Sequence, residues 1–407
     1  MRSGYLSQYF AAVAAKRLSA VEANPAASNQ HEFNGVEQLK TLFGQAQEKQ
    51  RFPARFIYLD DTDEEAVTAD GYLTWYDARA KSADRTGRSE HRLYFPSTAV
   101  SQCATEGDLL VIGRQSNDDV LVIVAEGQST IERQLLWLFG FDDIEHPGFS
   151  VRGELESGRD RIGYAARVIL EQIGIETEER EESFLEDMFR RFDGRFPSTR
   201  VFSEYARRTL SDLRPEDDPD ATLMAWLDRE EILFRTLERE LVAERLQKGF
   251  ANDIDGFIAY SLSVQNRRKS RAGSALENHL EYLFTLNNIR FNRAPVTENK
   301  SKPDFLFPGI TEYQDKNFAE ARLTMLAAKS SCKDRWRQVL TEAERVRRKH
   351  LLTLEASISE AQTDEMKARD LQLILPAALH ETYSVSQQHW LMKLATFIKL
   401  VTSRQTQ

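Results

Sequence analysis

Cysteine is scarce in this 407-residue chain: Cys103 and Cys332 stand far apart, with no C-x-x-C or Cys/His spacing. That excludes a disulfide scaffold and argues against a zinc site. Also missing is any apolar run near the roughly 20 residues a membrane helix needs, so no membrane partner is expected. The opening Met1-Arg2-Ser3-Gly4-Tyr5-Leu6 leads into small and polar residues and does not read as a signal peptide, which makes the cytoplasm the expected location. Positive charge is not in excess either: 54 Lys+Arg against 64 Asp+Glu leave a formal charge of −10. Taken alone, that argues against a nucleic-acid partner. Net charge averages over a whole surface, however, and a phosphate backbone feels only the cleft that meets it.

With 41% hydrophobic and 29% charged residues, the composition is that of a globular protein of two or three domains. Up to about residue 145 the apolar residues come in short β-branched or aromatic runs bounded by Gly, Asp or Pro: 56–59, 72–76, 93–95, 109–112 and 120–124. Such runs predict a mainly β domain, closed by a helix over 131–139. The block Glu176-Thr177-Glu178-Glu179-Arg180-Glu181-Glu182 repels itself and packs poorly, which marks a linker. The expected organisation is a β domain over 1–150, a linker region over 151–183 and a second domain over 184–407. In the latter, helical stretches at 221–248 and 275–286 alternate with candidate strands at 289–291, 303–307, 323–328, 350–354 and 371–375, and a last helix spans 391–401. Strands separated by helices predict an α/β fold.

Two of these strands end in chemistry. Lys302-Pro303-Asp304-Phe305-Leu306-Phe307 sets an acid at the start of an apolar strand, and Leu323-Thr324-Met325-Leu326-Ala327-Ala328-Lys329 ends another on a lysine. Neighbouring strands ending so form a compact site: the carboxylate binds a divalent cation and the ammonium orients or deprotonates a water beside a phosphodiester. This is the pattern of PD-(D/E)xK nucleases, although Asp and Lys alone are weak evidence. Where the motif carries its second acid this chain has Ala327, so either the site is inactive or that acid comes from elsewhere. Residues 334–344 read as a helix from which Glu342 could fold back to the strand ends, or pair with Arg345 or Gln338 on a solvated face.

Four ordered blocks within about 130 residues carry a resemblance. They are Asn266-Arg267-Arg268-Lys269-Ser270-Arg271-Ala272-Gly273, then Leu276-Glu277 with His279-Leu280-Glu281, then Lys302 to Pro308, then Cys332-Lys333-Asp334-Arg335-Trp336-Arg337-Gln338. Together they resemble the catalytic domain of EcoRII-type restriction endonucleases. The resemblance implies a restriction-endonuclease-like α/β fold in which the second acid has moved past the lysine strand to the spacing of Glu342. It further implies Mg²⁺-dependent hydrolysis of double-stranded DNA that leaves 5′-phosphates. Asp304 and Glu342 would hold the metal, Lys329 would position the attacking water, and Glu277 would act from behind them.

A cation can donate to guanine and a carboxylate can accept from cytosine, so Lys333, Asp334 and Arg335 can read adjacent C·G pairs. By resemblance they read the ends of a CC-x-GG site. Arg267, Arg268, Lys269 and Arg271 form the densest basic cluster and are candidates for phosphate contact. Trp226 and Phe234 are aromatic in a charged helical region, where most such rings belong to a core.

The N-terminal part resembles the effector-binding domain of the same family, a pseudobarrel of the plant B-three DNA-binding type, through Lys16-Arg17-Leu18-Ser19, His31 and Arg88-Ser89-Glu90-His91-Arg92. Arg88, Glu90 and Arg92 alternate onto one strand face, as groove reading requires. His91 stands where the family has lysine. The expected protein is therefore a type IIE restriction endonuclease of a restriction-modification system. It would cut as a homodimer, because a palindromic site needs two active sites, and would respond to effector DNA on its first domain. A repair or junction-resolving nuclease, or a DNA-binding regulator with a degenerate site, are the alternatives.

Overall fold

A computed structural model describes residues 4–24, 31–34, 36–46, 48–62, 66–79, 89–142, 144, 148–177, 182–210, 212–332 and 335–406. It divides into two compact units, Met1–Thr177 with Ala356–Ser359, and Glu178–Glu355 with Glu360–Gln407.

The first unit is built on eight strands: β1 (Phe10–Arg17), β2 (Glu32–Phe33), β3 (Gln50–Leu59), β4 (Val67–Asp77), β5 (His91–Tyr94), β6 (Leu109–Gln115), β7 (Val120–Ala125) and β8 (Ser150–Arg152). They form one sheet in the order β2-β5-β4-β3-β7-β6-β1-β8, antiparallel at every step except β3 against β7. Val120-Leu121-Val122-Ile123-Val124-Ala125 is apolar throughout because the strand is buried on both faces. Val120, Val122 and Val124 join the core of Leu73, Trp75, Leu93, Leu110 and Ile112. Helix α1 (Thr130–Phe139) starts on a Ser129 cap, and its Phe139 meets Phe10 edge-on at 5.3 Å. β1 has no signal in the sequence: its alanines carry little β propensity, and only burial identifies the run. The stretch 151–183, read as a linker region, holds part of β8 and helix α2 (Tyr164–Gln172), whose Ile169 and Leu170 are buried. The predicted acidic block is interrupted at 178–181, which lie outside the described residues.

The second unit opens with helices α3 (Leu185–Phe192), α4 (Thr199–Arg208), α5 (Pro219–Lys248) and α6 (Ile254–Leu286). Asp218 caps α5 ahead of Pro219 at its first turn, and Asp253 caps α6. Helix α6 begins well before residue 275, where the sequence reading started it; its first half exposes Ile254, Phe257, Ile258 and Leu262, so no buried stripe announces it. A six-stranded mixed sheet follows: β9 (Asn292–Arg293), β10 (Phe305–Phe307), β11 (Thr324–Lys329), β12 (Lys349–Thr353), β13 (Leu371–Leu375) and β14 (Met392–Lys393), in the order β14-β13-β12-β11-β10-β9. β9, β10 and β11 pair antiparallel and β11 to β14 parallel. Residues 289–291 precede β9 rather than forming a strand themselves. Helices α7 (Glu360–Ala368) and α8 (Leu394–Thr406) complete the unit. Buried Asp220 on α5 accepts the backbone N–H groups of Ala377, Leu394 and Ala395 at 2.8–3.0 Å, tying the helical layer to the sheet.

Candidate active site

Asp304 directly precedes β10 and Lys329 ends the adjacent β11. The Asp304 carboxylate accepts from the Lys329 ammonium at 2.9 Å and from the Ala328 N–H at 2.7 Å, both on Oδ2. The two side chains are 14% and 27% exposed, so the pair lies at the mouth of the sheet, in reach of a ligand. Ala327 is fully buried on β11, so no acid stands at the usual second position.

Glu342, the expected second acid, does not lie on a helix. The helix here is only Trp336–Val339, and Glu342 follows it in a turn whose Ala343 has φ +47°. The helix expected over 334–344 thus stops at Val339, and Ala343 further on adopts the left-handed region, which would not continue a helix. Burial and the neighbouring Asp304 charge push the Glu342 carboxyl up to about 7, against the pull of Lys329 and Lys349. Its Oε2 is buried without a hydrogen-bond partner. A buried, unpartnered carboxylate oxygen in the field of a second carboxylate is the arrangement a divalent cation neutralises. Asp304 and Glu342 are thus the two residues that would hold such an ion. Among the described residues no group of three His, Cys, Asp or Glu has metal-holding geometry.

Glu277, on α6, accepts a bidentate contact from Arg293 at 2.8 and 3.2 Å on one oxygen. Arg293 lies on β9 opposite Phe305, and the Asp304 carbonyl accepts from the Ala294 N–H at 3.0 Å. The strand beside β10 thereby brings Glu277 toward the Asp304 end. Arg293, which also holds Glu281 at 2.6 Å, had no signal in the sequence beyond its charge.

Of the base-reading triplet, Lys333 and Asp334 lie outside the described residues, and Arg335 is exposed just beyond the end of β11. The basic cluster splits. Lys269 is exposed, Arg267 lies over the Phe196 ring at 4.1 Å, and Arg268 pairs with Glu238 at 2.6 Å. Arg271 is 5% exposed, bound to Glu230 and Glu231 and set over the Phe234 ring. Its expected phosphate contact does not fit that position, since the guanidinium is committed to buried carboxylates between α5 and α6. Trp226 and Phe234 are core residues, 3% and 2% exposed.

In the first unit Glu90 binds Arg79 at 2.7 Å and Arg92 at 2.8 Å, and Arg92 also reaches Glu32 at 3.1 Å. Arg88 lies outside the described residues. His91 departs from expectation: 6% exposed, it stacks on Trp75 at 4.9 Å, because strand alternation turns it away from Arg92. Burial also holds its imidazole below the usual range. His31 packs between Tyr94 and Phe95 with its Nδ1 buried. Lys16 is fully buried on Glu22 at 2.6 Å, a core pair.

Residues 234–398 match the family model described as EcoRII C terminal. The chain is 42% identical over 209 residues to the type II restriction enzyme EcoRII of Escherichia coli, covering 51% of this chain and 51% of that protein. It thus spans about half the length of the curated relative it matches. Among solved structures, metal-depleted Ecl18kI in complex with uncleaved, modified DNA is 18% identical with a TM-score of 0.45, covering 55% of this chain and 84% of that one. The complex of restriction endonuclease PspGI with substrate DNA is 15% identical with a TM-score of 0.44, covering 52% and 94%. Both likenesses concern part of the chain: residues 234–398 for the family model and 51% of the chain for EcoRII.

Proposed function

We propose that this chain is a type II, sequence-specific double-stranded DNA endonuclease that hydrolyses phosphodiesters with Mg²⁺. The observation that carries the reading is the juxtaposition of the Asp304–Lys329 pair with Glu342, whose Oε2 is buried without a hydrogen-bond partner. Asp304 and Glu342 would hold the metal. A divalent cation bound there lowers the pKa of a water and polarises the phosphate. Lys329 turns the attacking water toward phosphorus and stabilises the charge that develops on the equatorial oxygens. Glu277, steadied by Arg293, orders solvent behind the nucleophile. The product strand carries a 5′-phosphate.

Recognition falls to Lys333, Asp334 and Arg335 at the C·G ends of a CC-x-GG type site, with Arg267, Arg268 and Lys269 toward the backbone. Cutting both strands of such a palindrome calls for a homodimer. The first unit, proposed as a B-three-like pseudobarrel, binds effector DNA through the strip of Arg88, Glu90 and Arg92, with His31 nearby. The protein works in the cytoplasm, within a restriction-modification system.

Asp304→Ala, Lys329→Ala and Glu342→Ala are expected to abolish cleavage of a cognate duplex while leaving its specific binding, measured by gel shift, within a few-fold of wild type. Wild-type cutting by Glu342→Ala would remove that residue from the site.

A further inference from the structure

Lys349 opens β12, a strand whose five residues are all buried, and is itself 6% exposed. An ammonium in such a place is costly unless something uses its charge or its donors. Here it donates to the carbonyl of Ala343 at 2.6 Å, the residue directly after Glu342. It also sits in the field of Glu342, Glu298 and Glu344, while burial pulls its own pKa down. The turn around Glu342 is tied on its far side by other elements: Asn299 donates to Glu344 at 3.0 Å and the Arg345 N–H donates to the Tyr313 hydroxyl at 3.2 Å. Tyr313 in turn donates to Glu298 at 2.6 Å. The Ala343 carbonyl also accepts the Val346 N–H at 2.9 Å within the turn, and Lys349 adds the side-chain donor from β12; Ala343 is the residue held at φ +47°, a conformation that needs support in a residue with a Cβ.

We propose that Lys349 is a positioning residue for the metal site: it clamps the Ala343 carbonyl so that the turn presents the Glu342 carboxylate to Asp304. The inference rests on the nuclease reading above and adds to it a residue outside the motif. Lys349 is not a second catalytic lysine, because its head is buried against backbone rather than at the mouth of the sheet beside Lys329. Its role is mechanical, with its charge placed where the two carboxylates need balancing before the metal arrives.

The test uses the full-length wild type, Lys349→Met, which keeps the length of the side chain without its donors, and Lys349→Gln, which keeps a donor without the charge. Mn²⁺ binding is titrated by electron paramagnetic resonance, half-saturating Mg²⁺ is read from cleavage, and duplex affinity is measured in EDTA. Lys349→Met is expected to bind Mn²⁺ at least ten-fold more weakly and to need correspondingly more Mg²⁺, with duplex affinity in EDTA within two-fold of wild type. Lys349→Gln should lie between the two. A lysine that merely repelled the cation would give the opposite sign, so unchanged or tighter Mn²⁺ binding in Lys349→Met overturns the proposal. Should melting curves show that Lys349→Met is unfolded, Lys349→Gln decides by the same criterion. A wild-type chain that binds no Mn²⁺ and cuts nothing overturns the nuclease reading and this inference together. A wild-type chain that does both, alongside a Lys349→Met variant indistinguishable from it, overturns the positioning role alone.

Discussion

Glu342 shows how far a single residue departs from its sequence surroundings. Asp304 and Lys329 are legible because one opens and the other closes an apolar run, although the pairing that brings the two strands side by side is non-local. Glu342 was legible only through family resemblance, since nothing in a local pattern says that a turn will swing back beneath two strand ends. The same burial gives it a measurable signature. Its carboxyl titrates near 7 in the folded chain, above the 4.5 of an exposed glutamate. The folded state therefore holds this proton more tightly than the unfolded state, so the contribution to stability is full below about 4.5 and is lost as pH rises through 7. Without divalent cation, wild type is expected to lose on the order of 3 kcal/mol relative to Glu342→Gln across that window. Added Mn²⁺ should restore stability only in wild type. Urea unfolding at pH 5 and pH 8, with EDTA or Mn²⁺, measures this, and parallel curves for the two proteins would contradict the assignment.

Among the elements, strands were read more reliably than helices. β3 to β7 and β10 to β13 all overlap runs seen in the sequence, because alternating or wholly apolar segments leave few options. The first half of helix α6 is illegible because it has no buried stripe, and the sequence does not show that the helix after Lys329 stops at Val339. The pairing of α5 with α6 also reassigns a charge. Arg271 looks like part of a basic patch in sequence, yet it joins Glu230 and Glu231 in the interior. Arg271→Ala is thus expected to destabilise the fold by about 3–5 kcal/mol, the usual result of stranding one side of a buried ion pair. It should leave the salt dependence of DNA binding unchanged. Lys269→Ala, at an exposed position, should do the reverse, weakening binding on every sequence and flattening its salt dependence. Chemical denaturation and fluorescence anisotropy across a salt series separate the two.

On the scale of the whole molecule, the chain joins an eight-stranded sheet unit to a second unit whose residues 234–398 match the EcoRII C-terminal family model. The β character of the first unit was legible in its short apolar runs, whereas its strand order was not, since the parallel pairing of β3 with β7 is non-local. His91 lies inward against Trp75, where alternation with Arg92 puts it, although the resemblance implies a place in the cleft. On the proposed reading, a first unit that binds effector DNA would regulate cutting by linkage: the DNA would shift activity only by as much as it prefers the active state. The intact protein should cut a one-site plasmid slowly and be stimulated by short cognate duplexes, and Arg92→Ala should remove the stimulation while retaining basal cutting. Initial rates with and without duplex test this, and a wild type indifferent to duplex would remove the effector role. The central claim, that the Asp304, Lys329 and Glu342 cluster cuts DNA at defined sites, is tested most directly by digesting a plasmid bearing several CC-x-GG sites with the purified chain and Mg²⁺, beside Lys329→Ala. Discrete fragments from wild type, and none from the variant or in EDTA, are the predicted result; a smear, or identical cutting by Lys329→Ala, would contradict the account.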